Sequence, residues 1–371
     1  MISKFNLNII FYSVLMFSLA GCGGGSASNP SSDQPVTTVI LNSTQLLGQK
    51  IYFDTNLSSP AGQSCASCHL PEAGFVDPDR NLPVSEGIIS GLFGNRNSPT
   101  TSYASQIPDF HFDGTRFIGG QFLDGRASTL EEQAKGPFLN PLEMNNTKTG
   151  VVEAVKLSDY ASDFEAIFGV GSLDNDDSAY DLIASAIAQF ERSAVFSPFT
   201  SKFDAVRTRS DVFTESEQRG FDLFRGKANC IRCHIVGGGQ HNFTDFSYHN
   251  LGVPANLDNP FYALDSQYNP DGSNFVDLGL GGVQNDVNQN GKFRVPTLRN
   301  IVNTGPYMHN GLFNSLQEVI VFYNTRDTNP LQEAAEVDLN KDNQIGNFQL
   351  SQSEIDDIIA FLNTLSDGYI Q

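Results

Sequence analysis

The sequence predicts a mainly α-helical protein built as two similar helical domains, with long loops and few strands. Three observations support this prediction. The segment CASCH at residues 65–69 is followed later in the chain by CIRCH at residues 230–234. Each copy follows a short helical segment, LLGQKIYFD before the first and EQRGFDLFR before the second, in which Gly48 aligns with Gly220. Elsewhere apolar residues recur at helical spacing, whereas strand signals are few.

Residues 1–22 differ from the rest of the chain. Lys4 is their only charge, an apolar stretch follows it, and the segment ends in LAGC. This pattern predicts an export signal. Its end is similar to the lipobox of bacterial lipoproteins, which implies a lipoprotein signal peptide and lipidation of Cys22. A cleaved signal with an incidental cysteine is the alternative. Residues 23–40 have no apolar periodicity, and their Gly- and Ser-rich start predicts a flexible tether.

The remaining chain divides at the segment 196–211, which gives an N-terminal domain of residues 41–205 and a C-terminal domain of residues 206–371. Capping residues and apolar stripes predict further helices. They are the helix that Ser128 and Glu131 cap, which runs to about Lys135; the segment 178–195; SLQEVIVFYN at 315–324; and a last helix capped by Ser351 and Glu354. Thr214 and Glu217 form a capping box for the helix before the CIRCH segment.

The chain is strongly acidic, with a formal net charge of −20. Such a surface repels nucleic acid and bare anionic membranes. It favours either a basic protein partner or simple solubility. Nothing after the N-terminus resembles a membrane span, so the sequence predicts membrane contact through the lipid anchor only.

Cysteine use is restricted. Apart from Cys22, all four cysteines lie in the two C-x-x-C-H segments, which leaves none for structural disulfides. This is the attachment pattern of c-type haem, in which each thiol bonds to one vinyl group and the histidine binds iron. A redox dithiol does not need the histidine, and a zinc finger would place two later histidines at its own spacing. The predicted attachment residues of two covalent haems are Cys65, Cys68, His69, Cys230, Cys233 and His234.

Two Asp- and Asn-rich segments, DVNQNGK at 286–292 and DLNKDNQ at 338–344, are similar to calcium-binding loops. An EF-hand needs a glutamate at loop position 12. Those positions hold Thr297 and Gln349, so both segments are interpreted as turns.

Four further stretches carry a family resemblance. They are RNSPT at 96–100, FLDGRASTLEEQAKGP at 122–137, NPLEM at 140–144 and VPTLRNIVNTGPYMHNG at 295–311. With the order of the two haem motifs, they resemble the bacterial di-haem cytochrome c peroxidases and their MauG-type relatives over about residues 44–365. The resemblance implies two cytochrome c-like domains, the first with a peroxidatic haem and the second with an electron-transfer haem.

The resemblance also implies a peroxide site. The family uses a glutamine and, ten residues on, a glutamate, and Gln133 and Glu143 have this spacing. Glu143 would move a proton between the two peroxide oxygens, Gln133 would help to hold the peroxide, and Pro137 would line the pocket. From composition alone, a surface glutamine and a solvated glutamate are the alternative.

A calcium ion between the haem domains is a further implication. The family binds it through one asparagine side chain, two backbone carbonyls and waters, and Asn97, Thr304 and Pro306 match those positions. Few protein ligands with several waters suit calcium. A tight turn built from Asn and Pro is the alternative.

The sequence departs from the peroxidase pattern at the first haem. Ile89 stands where classical members place a sixth-ligand histidine. The resemblance therefore implies a five-coordinate haem that reacts with peroxide without prior reduction. His111 is interpreted first as a surface or packing histidine.

A second departure lies at the other haem, where Tyr323 replaces the classical methionine ligand. MauG-type members use a tyrosinate here, which would favour the ferric state. A core tyrosine with a satisfied hydroxyl is the alternative. Met308 is interpreted as a replacement for a core aromatic. The third departure is Leu123, which stands in place of a tryptophan relay and cannot be oxidised.

These observations favour a lipid-anchored periplasmic peroxidase that reduces hydrogen peroxide with electrons from a small cytochrome c or cupredoxin. Peroxide-driven oxidation of a protein or peptide, as in MauG-type enzymes, is the second hypothesis, and a non-enzymatic di-haem electron carrier is the third. In many bacteria an aspartate directly after the lipidated cysteine signals retention in the inner membrane. Position 23 is a glycine instead, which favours the outer membrane of a Gram-negative bacterium. The oligomeric state stays open, with a homodimer as one alternative.

Overall fold

The computed structural model describes residues 39–237 and 241–370. The predicted signal peptide, Cys22 and nearly all of the tether lie outside the described residues. The described chain contains the helices α1 Ser43–Tyr52, α2 Cys65–Cys68, α3 Leu130–Leu139, α4 Lys148–Leu157, α5 Ala161–Phe168, α6 Asp176–Glu191, α7 Lys202–Arg207, α8 Glu215–Arg225, α9 Leu280–Gln284, α10 Leu316–Thr325 and α11 Gln352–Asn363.

Strands are few and short, as the sequence predicts. Antiparallel pairs form between β1 His111–Phe112 and β2 Phe117–Ile118, and between β3 Tyr248–His249 and β4 Phe293–Arg294. Long loops and short 3₁₀ turns connect the helices. The prediction of a mainly α-helical chain is therefore confirmed. No helix of the described residues has the length and apolar character to cross a bilayer.

Two hydrophobic cores lie on either side of residue 200. The first extends from Leu47 to Phe196 and packs α1, α3, α4, α5 and α6 together. The second extends from Phe203 to Leu365 and packs α8, α10 and α11. Contacts between these halves are close enough that the described residues belong to one compact unit.

The two halves repeat one helix crossing. A Cβ at Gly48 of α1 would collide with the carbonyl of Ala186 on α6, and one at Gly220 of α8 would collide with the carbonyl of Asp357 on α11. Glycine is required at both crossings because the helix backbones approach so closely. The alignment of Gly48 with Gly220 in the sequence thus corresponds to equivalent positions in the structure.

We expect Gly48→Ala to destabilise the protein by about 1–3 kcal/mol, because overpacking at a fixed contact forces the backbone to move. Denaturant unfolding of the full chain measures this change. Gly282→Ala in α9 is the matched control, since the nearest atom to an added Cβ there is 3.5 Å away. Alanine within a helix stabilises it by about 0.5–1 kcal/mol relative to glycine. Equal unfolding midpoints for the two variants would contradict the crossing argument.

The predicted start of α3 is wrong by one residue. Thr129, rather than Ser128, caps the helix by accepting from the Glu132 amide. The segment STLEE offers the capping spacing twice, one residue apart, so the pattern alone does not choose. The helix also continues past Lys135 to Leu139 and includes Pro137.

Other helix predictions are closer to the structure. Asn175 caps α6, which ends at Glu191 rather than at the predicted residue 195. The caps predicted at Thr214 and Ser351 are confirmed as capping boxes. The loops at 286–292 and 338–344 contain turns in which an aspartate accepts from a backbone amide two residues on.

Candidate active site

A cleft in the N-terminal half is built around α2. Cys65 and Cys68 begin and end this single turn, and His69 follows it directly, so all three line one cleft with about 740 Å³ of empty space, part of it open to solvent. A second cavity, with about 2140 Å³ of empty space including its open mouth, is lined by Cys230, Cys233 and His234. The two C-x-x-C-H segments therefore each face a cavity.

Both histidines are held in the same way. The Nδ1 atom of His69 lies 3.3 Å from the carbonyl oxygen of Phe75, and that of His234 lies 2.8 Å from the carbonyl oxygen of Phe243. A proton on Nδ1 that is donated to a carbonyl leaves the Nε2 lone pair for a metal. Burial lowers the pKa of His69 to about 4 and also lowers that of His234. The imidazoles are thus neutral at neutral pH, as a metal ligand must be.

The four thiols are free rather than disulfide-bonded. Burial raises the pKa of Cys68 and of Cys230 to about 12. Redox dithiols and zinc-binding thiolates have lowered pKa values, and no cluster of three or more His, Cys, Asp or Glu in the described part of the chain could hold a metal ion. Neither a redox dithiol nor a zinc site therefore gains support. Neutral thiols beside a large cavity fit covalent attachment of haem.

The residues predicted for peroxide chemistry line the same cleft as His69. Gln133 and Pro137 lie on α3, and Glu143 follows in the loop after it. Asn140 donates from Nδ2 to Oε1 of Glu143 at 2.6 Å. Burial raises the pKa of Glu143 above its ordinary value, although the Asn140 hydrogen bond partly opposes this. Glu143 is thus a half-buried, hydrogen-bonded side chain rather than a fully exposed one.

Gln133 has a side-chain amide without a hydrogen-bond partner among the described residues. It lies one helical turn before Pro137, so both side chains lie on one face of α3. An amide offers one acceptor and two donors. The cleft therefore combines the half-buried carboxyl of Glu143 with a free neutral hydrogen-bonding group.

No second histidine of the described residues lines this cleft. Ile89 lies in a loop that bonds to the peroxide-site segment through the Ile88 amide and the Glu143 carbonyl, 2.8 Å apart, but Ile89 itself is not part of the cleft wall. His111 is exposed on β1, with Nδ1 2.7 Å from the Asp109 carbonyl oxygen. The structure thus places both residues away from the imidazole of His69.

Tyr323, on α10, lines the C-terminal cavity together with His234. Its hydroxyl has no hydrogen-bond partner among the described residues, and burial raises its pKa well above the ordinary value. The hydroxyl of Tyr323 is thus available to a group bound in the cavity. Met308 lines the same cavity rather than a closed core.

Leu123 also lines the C-terminal cavity, and its carbonyl accepts from the Arg294 amide at 2.7 Å. Arg96 lies on the other side, in the wall of the N-terminal cleft, and pairs with Asp124 and Asp277 at 2.7 and 2.6 Å. Ser98 lines both cavities. The two cavities therefore share a wall at Ser98. The aliphatic side chain of Leu123 lies on the C-terminal side.

The residues predicted for calcium lie together. Asn97, Thr304 and Pro306 all line the C-terminal cavity. Asn97 donates from Nδ2 to the Pro83 carbonyl at 3.1 Å, which leaves its Oδ1 free. Among the described residues, no donor bonds to the carbonyl oxygens of Thr304 and Pro306. Three uncharged oxygens without a protein donor thus line the same cavity, and uncharged oxygens with several waters suit a hard cation.

Three polar residues at the cavities, of which Arg294 and Glu191 are buried and His249 is half-buried, were not indicated by the sequence. His249 has Nδ1 2.7 Å from Asp342 Oδ2, and this hydrogen bond raises its pKa to about 10. Arg294 is buried with an unpartnered Nε atom, and burial lowers its pKa to about 10. Glu191 is buried in the N-terminal cleft. In the sequence each of the three resembles an ordinary surface residue, because the segments that cover it are distant from it along the chain.

Comparisons with known proteins agree with these features. A family model described as di-haem cytochrome c peroxidase matches residues 42–211. The methylamine utilization protein MauG of Paracoccus denitrificans is 38% identical over 347 residues, which cover 86% of this chain and 88% of that protein. The cytochrome c551 peroxidase of Nitrosomonas europaea is 30% identical over 372 residues, which cover 98% of this chain and 92% of that protein.

A solved structure has the same fold. The crystal structure of the di-haem peroxidase BthA from Burkholderia thailandensis matches with a TM-score of 0.78 at 29% identity, and the match covers 89% of this chain and 88% of that one. Two cavities, each with a C-x-x-C-H segment in its wall, are what a protein with two c-type haems needs. The chain therefore belongs to the di-haem cytochrome c peroxidase family, which includes MauG.

Proposed function

We propose that the protein reduces hydrogen peroxide to water with electrons from a small periplasmic donor protein, a cytochrome c or a cupredoxin. The observation that carries this proposal is the shared cleft, in which the half-buried carboxyl of Glu143 and the free amide of Gln133 lie with His69. Cys65 and Cys68 would hold the haem of this cleft. Cys230, Cys233 and His234 would hold the haem of the second cavity.

The residues of the cleft have distinct roles in this proposal. Bound haem would supply an iron that takes up peroxide and exchanges electrons. Glu143 accepts a proton from one oxygen of hydrogen peroxide and returns it to the other, which a carboxyl with a raised pKa does well near neutral pH. Gln133 holds the peroxide by hydrogen bonds in an orientation that both steps can use. The Phe75 carbonyl keeps the His69 ring in the tautomer that binds iron.

An accessible iron is part of the proposal. His69 is the only histidine of the described residues in the cleft wall, so a haem held there would have no second histidine ligand from this wall and would be accessible to peroxide. The haem at His234 would receive electrons from the donor and pass them across the shared wall at Ser98. Low-temperature EPR of the ferric protein tests both statements at once, because it distinguishes a five-coordinate from a six-coordinate centre.

MauG-type oxidation of a protein or peptide substrate is the second candidate function. The free hydroxyl of Tyr323 in the C-terminal cavity favours it. Leu123 opposes it, because an aliphatic side chain cannot act as a redox relay between the cavities. A non-enzymatic carrier would have no use for the half-buried carboxyl of Glu143 in the cleft.

Steady-state turnover of the haem-loaded protein with peroxide and reduced cytochrome c separates these functions. Rapid oxidation of cytochrome c supports the peroxidase. A stable state oxidised by two electrons, without cytochrome turnover, supports MauG-type chemistry. Failure of both haems to bind cyanide, with no spectral response to peroxide, would leave only the electron carrier.

Calcium is proposed to bind at Asn97, Thr304 and Pro306. We expect a chelator to lower the thermal unfolding midpoint and calcium, but not magnesium, to restore it. A ligand at one hundred times its Kd stabilises the folded state by about 2.7 kcal/mol. Asn97→Ala should remove the response to calcium. An unchanged response in this variant would place the ion elsewhere.

The location is proposed from the export signal. Lipidation of Cys22 would anchor the protein to the periplasmic face of the outer membrane of a Gram-negative bacterium. Membrane fractionation of the full chain, compared with Cys22→Ser, tests this anchor, since the variant should move to the soluble periplasmic fraction.

A further inference from the structure

Glu191 is a buried carboxyl for which the peroxide chemistry has no role. It is the last residue of α6, is only 3% exposed, and lines the cleft of His69. Its Oε2 atom is buried without a hydrogen-bond partner. An isolated buried carboxylate is costly, so packing alone does not explain its presence.

The duplicated half of the molecule supplies a direct comparison. Ala186 and Phe190 of α6 pack on Gly48 as Asp357 and Phe361 of α11 pack on Gly220. The residue that follows each phenylalanine is therefore structurally equivalent in the two halves.

These equivalent residues are Glu191 and Leu362, and each lines the cavity of its own half. Leu362 is 6% exposed, so a leucine fills this position well. The carboxyl is therefore not needed for packing, and of the two cavities only the N-terminal one has it at this position.

The charged and titratable groups around Glu191 do not neutralise it. Tyr52 on α1 donates its hydroxyl proton to the His69 carbonyl at 2.9 Å. Cys65 on α2 is a neutral thiol, and Glu131 on α3 is itself acidic. Arg192 follows Glu191 directly and is a cation that lowers its pKa, but the Arg192 guanidinium pairs with Glu131 at 2.6 Å. Burial consequently raises the pKa of Glu191 to about 8.

We propose that Glu191 takes up a proton when the haem of the N-terminal cleft is reduced and releases it when that haem is oxidised. This inference rests on the proposed haem at His69. Reduction places one electron on the haem and removes one positive charge beside the carboxylate, which then binds one proton from solvent. Reduction of peroxide to two waters consumes two electrons and two protons. Glu191 would therefore bring a proton to the cleft along with an electron.

The test is the pH dependence of the reduction potential of each haem, followed by optical redox titration of the haem-loaded protein. Uptake of one proton with one electron changes the equilibrium constant tenfold per pH unit, so the potential falls by about 59 mV per pH unit in the range where uptake occurs. We expect this slope at the N-terminal haem. Glu191→Leu, which copies Leu362, should abolish it, and so should Glu191→Gln. Neither variant should change the pH dependence at the C-terminal haem.

Two outcomes must be kept apart. If the purified protein had no haem at His69, both the proposed function and this inference would be wrong. A chain with both haems whose slope persists in Glu191→Gln would overturn the inference alone and assign the proton to another group, such as Glu143. Infrared difference spectra give an independent readout, because the carbonyl band of a protonated carboxylic acid should appear on reduction and be absent in Glu191→Gln. Since glutamine is nearly isosteric with glutamate, this variant covers the case in which Glu191→Leu fails to fold.

Discussion

Glu143→Gln should keep both haems and lose peroxide turnover by a factor of about 10²–10⁴, the range that a positioned acid–base group contributes. Glutamine has the size of glutamate and its Oε1 can still accept from Asn140, so the cleft should keep its shape. It cannot take a proton from hydrogen peroxide. Rapid mixing of the ferric protein with peroxide measures the affected step directly.

Glu132→Gln is the matched control for this variant. Glu132 lies on α3 near the same cleft, but its carboxylate only accepts from the Ser128 amide at 2.7 Å, a contact that glutamine can keep. Its turnover should stay that of the unmodified protein. If Glu143→Gln reacted with peroxide at the unmodified rate, the acid–base role would be wrong, whatever lines the cleft.

The pH profile adds a second readout on Glu143. The carboxyl must be ionised to accept the first proton, so kcat/KM should fall as pH falls through its pKa. Burial raises that pKa above the ordinary value of a glutamate, so this acid limb should lie at a higher pH than for an exposed carboxyl. Glu143→Gln should lose the limb, which separates a catalytic role from a purely structural one.

Much of the fold was readable from local sequence. The capping box at Thr214 depends on contacts within one helical turn, and Gly48 and Gly220 are visible because they align between the two repeated segments. The start of α3 was not, because STLEE satisfies the capping rule at two adjacent positions. The structure has Thr129 as the cap.

Some residues of the candidate site could likewise be predicted from the sequence, and others could not. Both haem motifs and the spacing of Gln133 and Glu143 were found because their residues are close in sequence or match a family pattern. Glu191 was missed because it precedes Arg192, and a Glu-Arg pair at a helix end has the appearance of a solvated surface. The carboxyl of Glu191 lies in the cleft because α6 packs on α1 and α3. Arg294 was missed for a similar reason, since its burial comes from loops distant in sequence.

Once these residues are included, the two cavities differ in their chemistry. The N-terminal cleft contains two carboxyls with raised pKa values, Glu143 and Glu191, and is equipped to move protons. The C-terminal cavity contains Tyr323, His249 and Arg294 instead. Its lining also includes Asp277 and Asp342, but pairing with Arg96 and His249 lowers the pKa of these two carboxyls, so they stay ionised rather than exchange protons near neutral pH. Tyr323 is therefore the residue on which the second cavity's role depends.

Tyr323→Met should raise the reduction potential of the C-terminal haem by tenths of a volt, within the roughly 0.8 V that axial ligands span. A phenolate stabilises ferric iron, whereas methionine with histidine raises the potential. Burial keeps the free phenol protonated, so ligation requires that ferric iron displace the proton, and reduction should favour its return. Redox titration measures the shift, and Tyr323→Phe should convert the ferric centre to an open, high-spin form in EPR.

Met308→Leu is the matched control, because Met308 lines the same cavity and offers the only sulfur of a described methionine there. Its EPR signal and potential should equal those of the unmodified protein. The opposite pattern, with Tyr323→Phe silent and Met308→Leu changing both readouts, would make methionine the ligand. The C-terminal haem would then have a high potential, as in classical cytochrome c peroxidases, and the free hydroxyl of Tyr323 would no longer favour MauG-type chemistry. The two variants together therefore decide between the proposed functions as well as between the ligands.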